Sequence, residues 1–129
     1  MGSATTNCPS DLSYTSEHEW VRRLDNHQVE VGITSYAVDQ LGDVVFVDLP
    51  QVGATLQAGR PFGTVESVKS LSDLFAPVSG TVLEVNQELR IAPELVNEDP
   101  YGAGWMIRIQ VSGENEPLLT AQEYLALLS

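Results

Sequence analysis

Lys69 is the only lysine in the 129-residue chain, and it stands in Glu66-Ser67-Val68-Lys69-Ser70 between two segments that read as paired strands. One amine on a turn is the arrangement a group carrier needs: a single addressable nucleophile, held out from a rigid body, to which a cofactor is joined by an amide bond. A lone surface lysine is otherwise a solvated charge, so its surroundings decide between the two. Gly59 lies ten residues before Lys69 and Gly80 eleven after it, each in a Gly/Pro turn (Ala58-Gly59-Arg60-Pro61 and Ala76-Pro77-Val78-Ser79-Gly80). Two near-equal arms therefore meet at the lysine, and a hairpin of that shape places Lys69 at its tip, far from the core and close to solvent.

Other chemistries are less well served. A Schiff-base lysine needs a neutral amine, which burial or a neighbouring cation provides. The charges nearest to Lys69 in the sequence are Glu66 and Asp73, which favour the ammonium form, so modification by a separate enzyme is expected rather than catalysis by the lysine itself. Glu17-His18-Glu19 has metal-ligand residue types, but neighbours in an extended segment point to opposite faces and His27 falls in a turn, so no metal site is expected. Trp20 and Trp105 read as packing residues.

The elements that must hold Lys69 are short strands closed by turns. Val29-Glu30-Val31-Gly32-Ile33, Thr81-Val82-Leu83-Glu84-Val85 and Trp105 to Val111 alternate, while Val44-Val45-Phe46-Val47-Asp48-Leu49 is a nearly continuous apolar run stopped by Pro50. Gly53, Gly59, Pro61, Pro77 and Gly80 punctuate the middle at intervals suited to a barrel or sandwich. Thr34 or Ser35 caps a short helix that stops at Gly42, and Thr120 with Glu123 forms a capping box before Tyr124-Leu125-Ala126-Leu127-Leu128. That last helix is expected to pack its leucines on the body.

Composition narrows the partners. Eighteen acidic against six basic residues give a formal charge of −12, so nothing can replace the counterions of a nucleic acid, and an anionic membrane is equally unsuited. Such a charge steers the chain to proteins with basic patches. Cys8 is the only cysteine, which excludes an internal disulfide and a thiolate zinc site. No run of about 18 apolar residues and no signal peptide is present. Met1-Gly2-Ser3-Ala4-Thr5-Thr6 matches a myristoylation pattern only loosely and is read as the start of a flexible segment over residues 1–11, followed by a single domain over 12–129. A bacterial cytoplasmic monomer is expected, or a processed mitochondrial matrix protein.

Glu66-Ser67-Val68-Lys69 followed by Ala76-Pro77-Val78-Ser79-Gly80 resembles the attachment hairpin of lipoyl domains, which share a flattened hybrid barrel-sandwich with biotinyl domains. Biotin carriers normally set methionine on both sides of the lysine; Val68 and Ser70 stand there, so lipoate is favoured. Tyr14-Thr15-Ser16-Glu17-His18-Glu19-Trp20-Val21, Val31-Gly32-Ile33-Thr34, Leu41 to Pro50, Glu94-Leu95-Val96-Asn97 and Pro100 to Met106 are similar to the glycine cleavage H-protein family, in the same order, from about Leu12 to Leu128. Gln40 is a departure, standing where some relatives carry histidine.

The resemblance implies a mainly β fold with short flanking helices, one of them C-terminal, and a non-catalytic shuttle with lipoate joined to Lys69. It implies four partners: a pyridoxal-phosphate glycine decarboxylase that loads the aminomethyl group, a tetrahydrofolate-dependent aminomethyltransferase that removes it, a flavin (FAD) dihydrolipoyl dehydrogenase that reoxidises the dithiol, and a lipoate-attaching enzyme. Glu66, Gly59 and Gly80 are expected to be features of the hairpin that the attaching enzyme reads. Glu19 and Asp73 are expected to receive the cationic end of the loaded arm in a cleft. A lipoyl carrier or lipoate relay for another complex, such as a 2-oxo acid dehydrogenase, is the alternative.

Overall fold

The computed structural model describes residues 7–113 and 115–128. In chain order they form β1 (Ser13–Tyr14), β2 (Glu19–Arg23), β3 (Gln28–Ile33), α1 (Ser35–Leu41), β4 (Val44–Asp48), β5 (Thr55–Leu56), β6 (Pro61–Ser67), β7 (Leu71–Phe75), β8 (Gly80–Val85), α2 (Glu88–Ile91), α3 (Leu95–Glu98), β9 (Ile107–Val111) and α4 (Ala121–Leu128). The strands make two antiparallel sheets, one of six strands in the order β1-β2-β3-β9-β8-β5 and one of three in the order β4-β6-β7. The mainly β sandwich with short helices agrees with the sequence reading, but among the described residues no ladder joins the two sheets into a closed barrel.

The alternating strands explain the core. Val31, Val82, Ile107 and Ile109 from the large sheet meet Val47, Val65 and Leu74 from the small one in a single buried cluster. Burying each such side chain stabilises the sandwich by about 1.5–3 kcal/mol. The small sheet is thus anchored by the inward face of β6 and β7, whose outer ends carry Lys69. On the solvent face of the large sheet, Arg22, Glu30, Arg108 and Glu84 lie opposite one another across β2, β3, β9 and β8. Arg22 and Arg108 each pair with Glu30, at 2.7 and 2.8 Å, and Arg108 also pairs with Glu84 at 2.9 Å.

A second cluster of Leu12, Tyr14, Trp20 and Tyr124 closes one end of the sandwich. Tyr14 and Tyr124 stack with ring centroids 4.9 Å apart. Thr120 and Glu123 exchange the two capping-box hydrogen bonds, 2.9 and 3.1 Å, at the start of α4. The leucines are a correction: Tyr124 is the buried anchor of α4, while Leu125 and Leu127 are exposed. Helical periodicity accounts for it, because Tyr124 and Leu128 share a face that Leu125 and Leu127 do not. Within the N-terminal segment, Pro9 accepts a 2.7 Å hydrogen bond from the Tyr14 hydroxyl and Asn7 exchanges hydrogen bonds with Ser35. Residues 1–6, with the myristoylation pattern, lie outside the described residues.

Candidate functional site

Strands β6 and β7 pair from Pro61 opposite Phe75 to Glu66 opposite Leu71, and Val68, Lys69 and Ser70 close the turn between them. The turn is held by its own side chains. Ser67 is buried, and its Oγ accepts from the backbone N–H of Ser70 (3.1 Å) and of Lys69 (3.3 Å), while its own N–H donates to the Ser70 carbonyl at 2.8 Å. The Val68 N–H donates to the Asp43 carbonyl at 3.0 Å, which ties the turn to the loop after α1. Lys69 is exposed, and its stem passes over Gly42, where a Cβ would stand 3.6 Å from Lys69 Cε. Gly42 has φ +80°, so the glycine both ends α1 and leaves this track clear.

A cavity of about 540 Å³ opens beside the turn. Ser70, Asp73 and Phe75 line it from the turn and β7, Glu17, His18 and Glu19 from the start of β2, and Tyr36 and Gln40 from α1. Glu19 is only 2% exposed. Its Oε1 accepts from Thr15 Oγ1 at 2.7 Å and its Oε2 from the Phe75 N–H at 3.2 Å. Burial pushes the Glu19 carboxyl up to about 7 against the pull of those two hydrogen bonds. His18 sits at φ 74°, and its Nδ1 is in hydrogen-bond contact with the Tyr124 hydroxyl at 2.7 Å. Burial lowers the pKa of His18, and Glu17 opposes the shift. Tyr124 also meets Thr34 Oγ1 at 2.8 Å, the atom that caps α1 by accepting from the Ala37 N–H.

The four sequence-derived residues at this end of the molecule form two groups. Lys69 and Glu66 are at the turn, both exposed, and Glu19 and Asp73 line the one cavity. Gly59 and Gly80 are elsewhere, before Pro61 at the far end of β6 and at the start of β8, about 20 Å of extended strand from the turn. Gly59 has φ +84° and donates to the Ala76 carbonyl at 2.8 Å, while a Cβ on Gly80 would lie 2.1 Å from the Gln110 carbonyl oxygen. Both positions need glycine for the fold. Among the described residues no group of three or more His, Cys, Asp or Glu side chains is placed to hold a metal ion. Sequence reasoning missed the part played by His18 and Tyr36 as cavity walls, since the hydrogen bond that orients His18 joins it to a residue 106 positions away.

An arm rooted on Lys69 can therefore fold past Ser70 into a cavity whose buried end is a carboxyl, which suits a long tether with a cationic end. The glycine cleavage H-protein family model matches residues 12–129. The chain is 57% identical over 116 residues to a glycine cleavage system H protein of Rubrobacter xylanophilus, covering 90% of each, and 64% identical over 104 residues to one of Mycobacterium avium, covering 81% of this chain and 79% of that one. Its fold superposes on the crystal structure of a glycine cleavage system H protein from Mycobacterium marinum with a TM-score of 0.87, at 48% identity, over 92% of this chain and 96% of the other. The chain belongs to the glycine cleavage H-protein family.

Proposed function

We propose that Lys69 is the lipoylated residue through which this carrier component of the glycine cleavage system does its work. The observation that carries the reading is the exposed Lys69 on a pinned turn, next to Ser70, which lines the same cavity as the buried Glu19. The residues present fit the group. The track over Gly42 is clear of side chain, Ser70 forms the near wall, and Glu19 and Asp73 supply the acidic groups that a cationic end group would meet. When bound, lipoate supplies the disulfide that takes up and releases the aminomethyl group of glycine.

The chain's own residues do the rest. Ser67 and Asp43 fix the backbone at the root of the arm, so the sweep of the tether starts from a defined point. A tethered group meets a docked active site at high effective concentration without new contacts. Glu19 and Asp73 hold the amine end, beside the apolar walls of Leu74 and Phe75. The partners are the pyridoxal-phosphate decarboxylase, the tetrahydrofolate-dependent aminomethyltransferase, the flavin dehydrogenase and the lipoate-attaching enzyme. That last enzyme presents an activated acyl group. The Lys69 amine, having lost a proton to solvent or to the enzyme, forms the C–N bond as the activating group leaves. Glu66, three residues before Lys69 on the outer face of β6, is a feature it reads; Gly59 and Gly80 act through the fold. The chain is a carrier rather than a catalyst, and no helix among the described residues is long and apolar enough to cross a membrane.

Intact mass with peptide mapping, on protein expressed with and without lipoate and the attaching enzyme, tests this directly. One lipoyl group on Lys69 is expected. No gain, under conditions that modify another lipoyl domain, would end the carrier reading.

A further inference from the structure

Phe46 belongs to the apolar run Val44 to Leu49, yet it is 53% exposed, and the reason lies in the register of β4 against β6. Val44 faces Ser67, and the next pair is Phe46 opposite Glu66, so Val45 is an extra residue in a β-bulge. Without the bulge Phe46 would stand opposite Val65 and point into the core; the extra residue turns it to the outer face. On the other side of Glu66, β7 places Leu71 directly opposite, 67% exposed. Phe46, Glu66 and Leu71 therefore form one row across the small sheet, a carboxylate between two apolar side chains, with each strand about 4.8 Å from the next. The row behind it is Asp48, Thr64 and Asp73. None of the three acids makes an ion pair among the described residues, and Arg90 borders the face on the β4 side.

We propose that this row is the docking surface for the enzyme that acylates Lys69. The inference rests on the carrier reading and goes beyond it by naming Phe46 and Leu71 as apolar anchors on either side of Glu66. The partner surface it fits has two apolar sockets about 10 Å apart with a cationic side chain between them. The choice of occupant follows from geometry. Enzymes that use the loaded arm reach its far end and can stand off from its root. The acylating enzyme must bring its carbonyl carbon to bonding distance of the Lys69 amine, so its surface has to lie against the turn. The row sits at that place, since Glu66 and Leu71 are the last paired residues before Val68, Lys69 and Ser70.

The test is the steady-state rate of lipoylation by a purified lipoate-attaching enzyme, followed by intact mass, for F46S, L71S and the double variant. V52S, at a 62% exposed valine outside the row, is the control. The expected result is a loss of about tenfold in kcat/KM for each single variant, carried by the KM for the acceptor protein, with V52S at the parent rate. All of these side chains point to solvent, and unchanged thermal unfolding checks the fold. If F46S and L71S are modified at the parent rate, the docking inference is overturned while modification of the parent on Lys69 keeps the carrier reading intact. If the parent itself is not modified, it is the carrier reading that fails. The variants are then fully lipoylated by long incubation and assayed with the decarboxylase. A defect there, with lipoylation untouched, would overturn the inference by assigning the row to that enzyme.

Discussion

The Phe75 backbone N–H donates to Glu19 Oε2 across 56 residues of chain, at 3.2 Å, and thereby fastens the strand leaving the Lys69 turn to the buried carboxyl of the arm cavity. The same carboxyl accepts from Thr15 Oγ1 at 2.7 Å, so both of its oxygens are partnered and still, because it is buried, it titrates near 7 rather than at the usual 4.5.

That displacement fixes a pH dependence of stability. The folded state holds the Glu19 proton where the unfolded state has released it, so stability falls as pH rises from about 4.5 to about 7, by up to roughly 3 kcal/mol. His18 acts in the opposite sense, because its lowered pKa makes stability rise with pH toward the ordinary histidine range. The clean readout is therefore the difference between the parent and E19Q, measured as urea midpoints at pH 5 and pH 8. The parent is expected to lose stability relative to E19Q at the higher pH; equal slopes for both proteins would remove Glu19 as the titrating group.

Ionised Glu19 is also what a cationic arm end would be attracted to. The loaded arm of the parent is expected to be released several-fold more slowly than that of E19Q at pH 8, and the two rates are expected to converge as the pH falls and Glu19 takes up its proton, at a pH below 7 because the bound cation favours the ionised carboxyl. The measurement is the rate of formaldehyde and ammonia release from the loaded carrier in the absence of partner enzymes. A ratio that does not change with pH would show that the two proteins differ for some reason other than charge.

Much of this site can be read from residue order. The lone Lys69, its flanking turns, the Thr34 cap, the Gly42 stop and the Thr120–Glu123 box are local signals, and each sits where sequence places it. The residues that escaped depend on distant pairing. The solvent exposure of Phe46 is set by one extra residue against β6; without that bulge Phe46 would stand opposite Val65 and face the core. Tyr124 is chosen over the neighbouring leucines because Tyr14, 110 positions earlier, offers a ring to stack on and His18 and Thr34 offer polar atoms to its hydroxyl. A sequence shows that α4 is amphipathic but not which partner awaits it.

Gly80 and Gly59 separate fold from recognition. G80A puts a Cβ 2.1 Å from a backbone oxygen of β9 and is expected to cost about 3 kcal/mol or more, because neither strand can retreat without breaking its ladder. G59A meets no heavy atom within 4 Å, and its cost is that of a left-handed residue, about 1–2 kcal/mol. Thermal unfolding gives the order G80A far below G59A. Lipoylation of folded G59A should run at the parent rate, and a slow rate with an intact fold would restore Gly59 as a residue the attaching enzyme reads.

Arg108 tests the charged ladder on the far sheet. Its guanidinium pairs with buried Glu30 and exposed Glu84 and lies 4.2 Å from the Trp105 ring centroid. R108A leaves Glu30 with Arg22 as partner, and Arg108 is itself partly exposed, so the expected loss is about 1–2 kcal/mol rather than that of an isolated buried charge. Lipoylation should not change, since the ladder is on the opposite sheet from Lys69.

Tyr124 tests whether the C-terminal helix shapes the cavity. Y124F keeps the ring that stacks on Tyr14 and removes only the hydroxyl that meets His18 Nδ1 at 2.7 Å and Thr34 Oγ1 at 2.8 Å. Two polar atoms lose a partner, Thr34 in a buried position and His18 at the cavity wall, at a cost of about 1–3 kcal/mol, which lowers Tm by several degrees in a chain of this size. The consequence specific to function is at His18. Held at φ 74°, the ring packs against Tyr36 at 4.9 Å and forms one wall of the arm cavity. Without the hydroxyl that wall is released, and the His18 ring resonances in an NMR spectrum should broaden or split while those of His27, in the β2–β3 turn, stay in place. A Y124F protein with lowered Tm and an unchanged His18 spectrum would confine Tyr124 to stability and leave the cavity shaped by β2 and α1 alone.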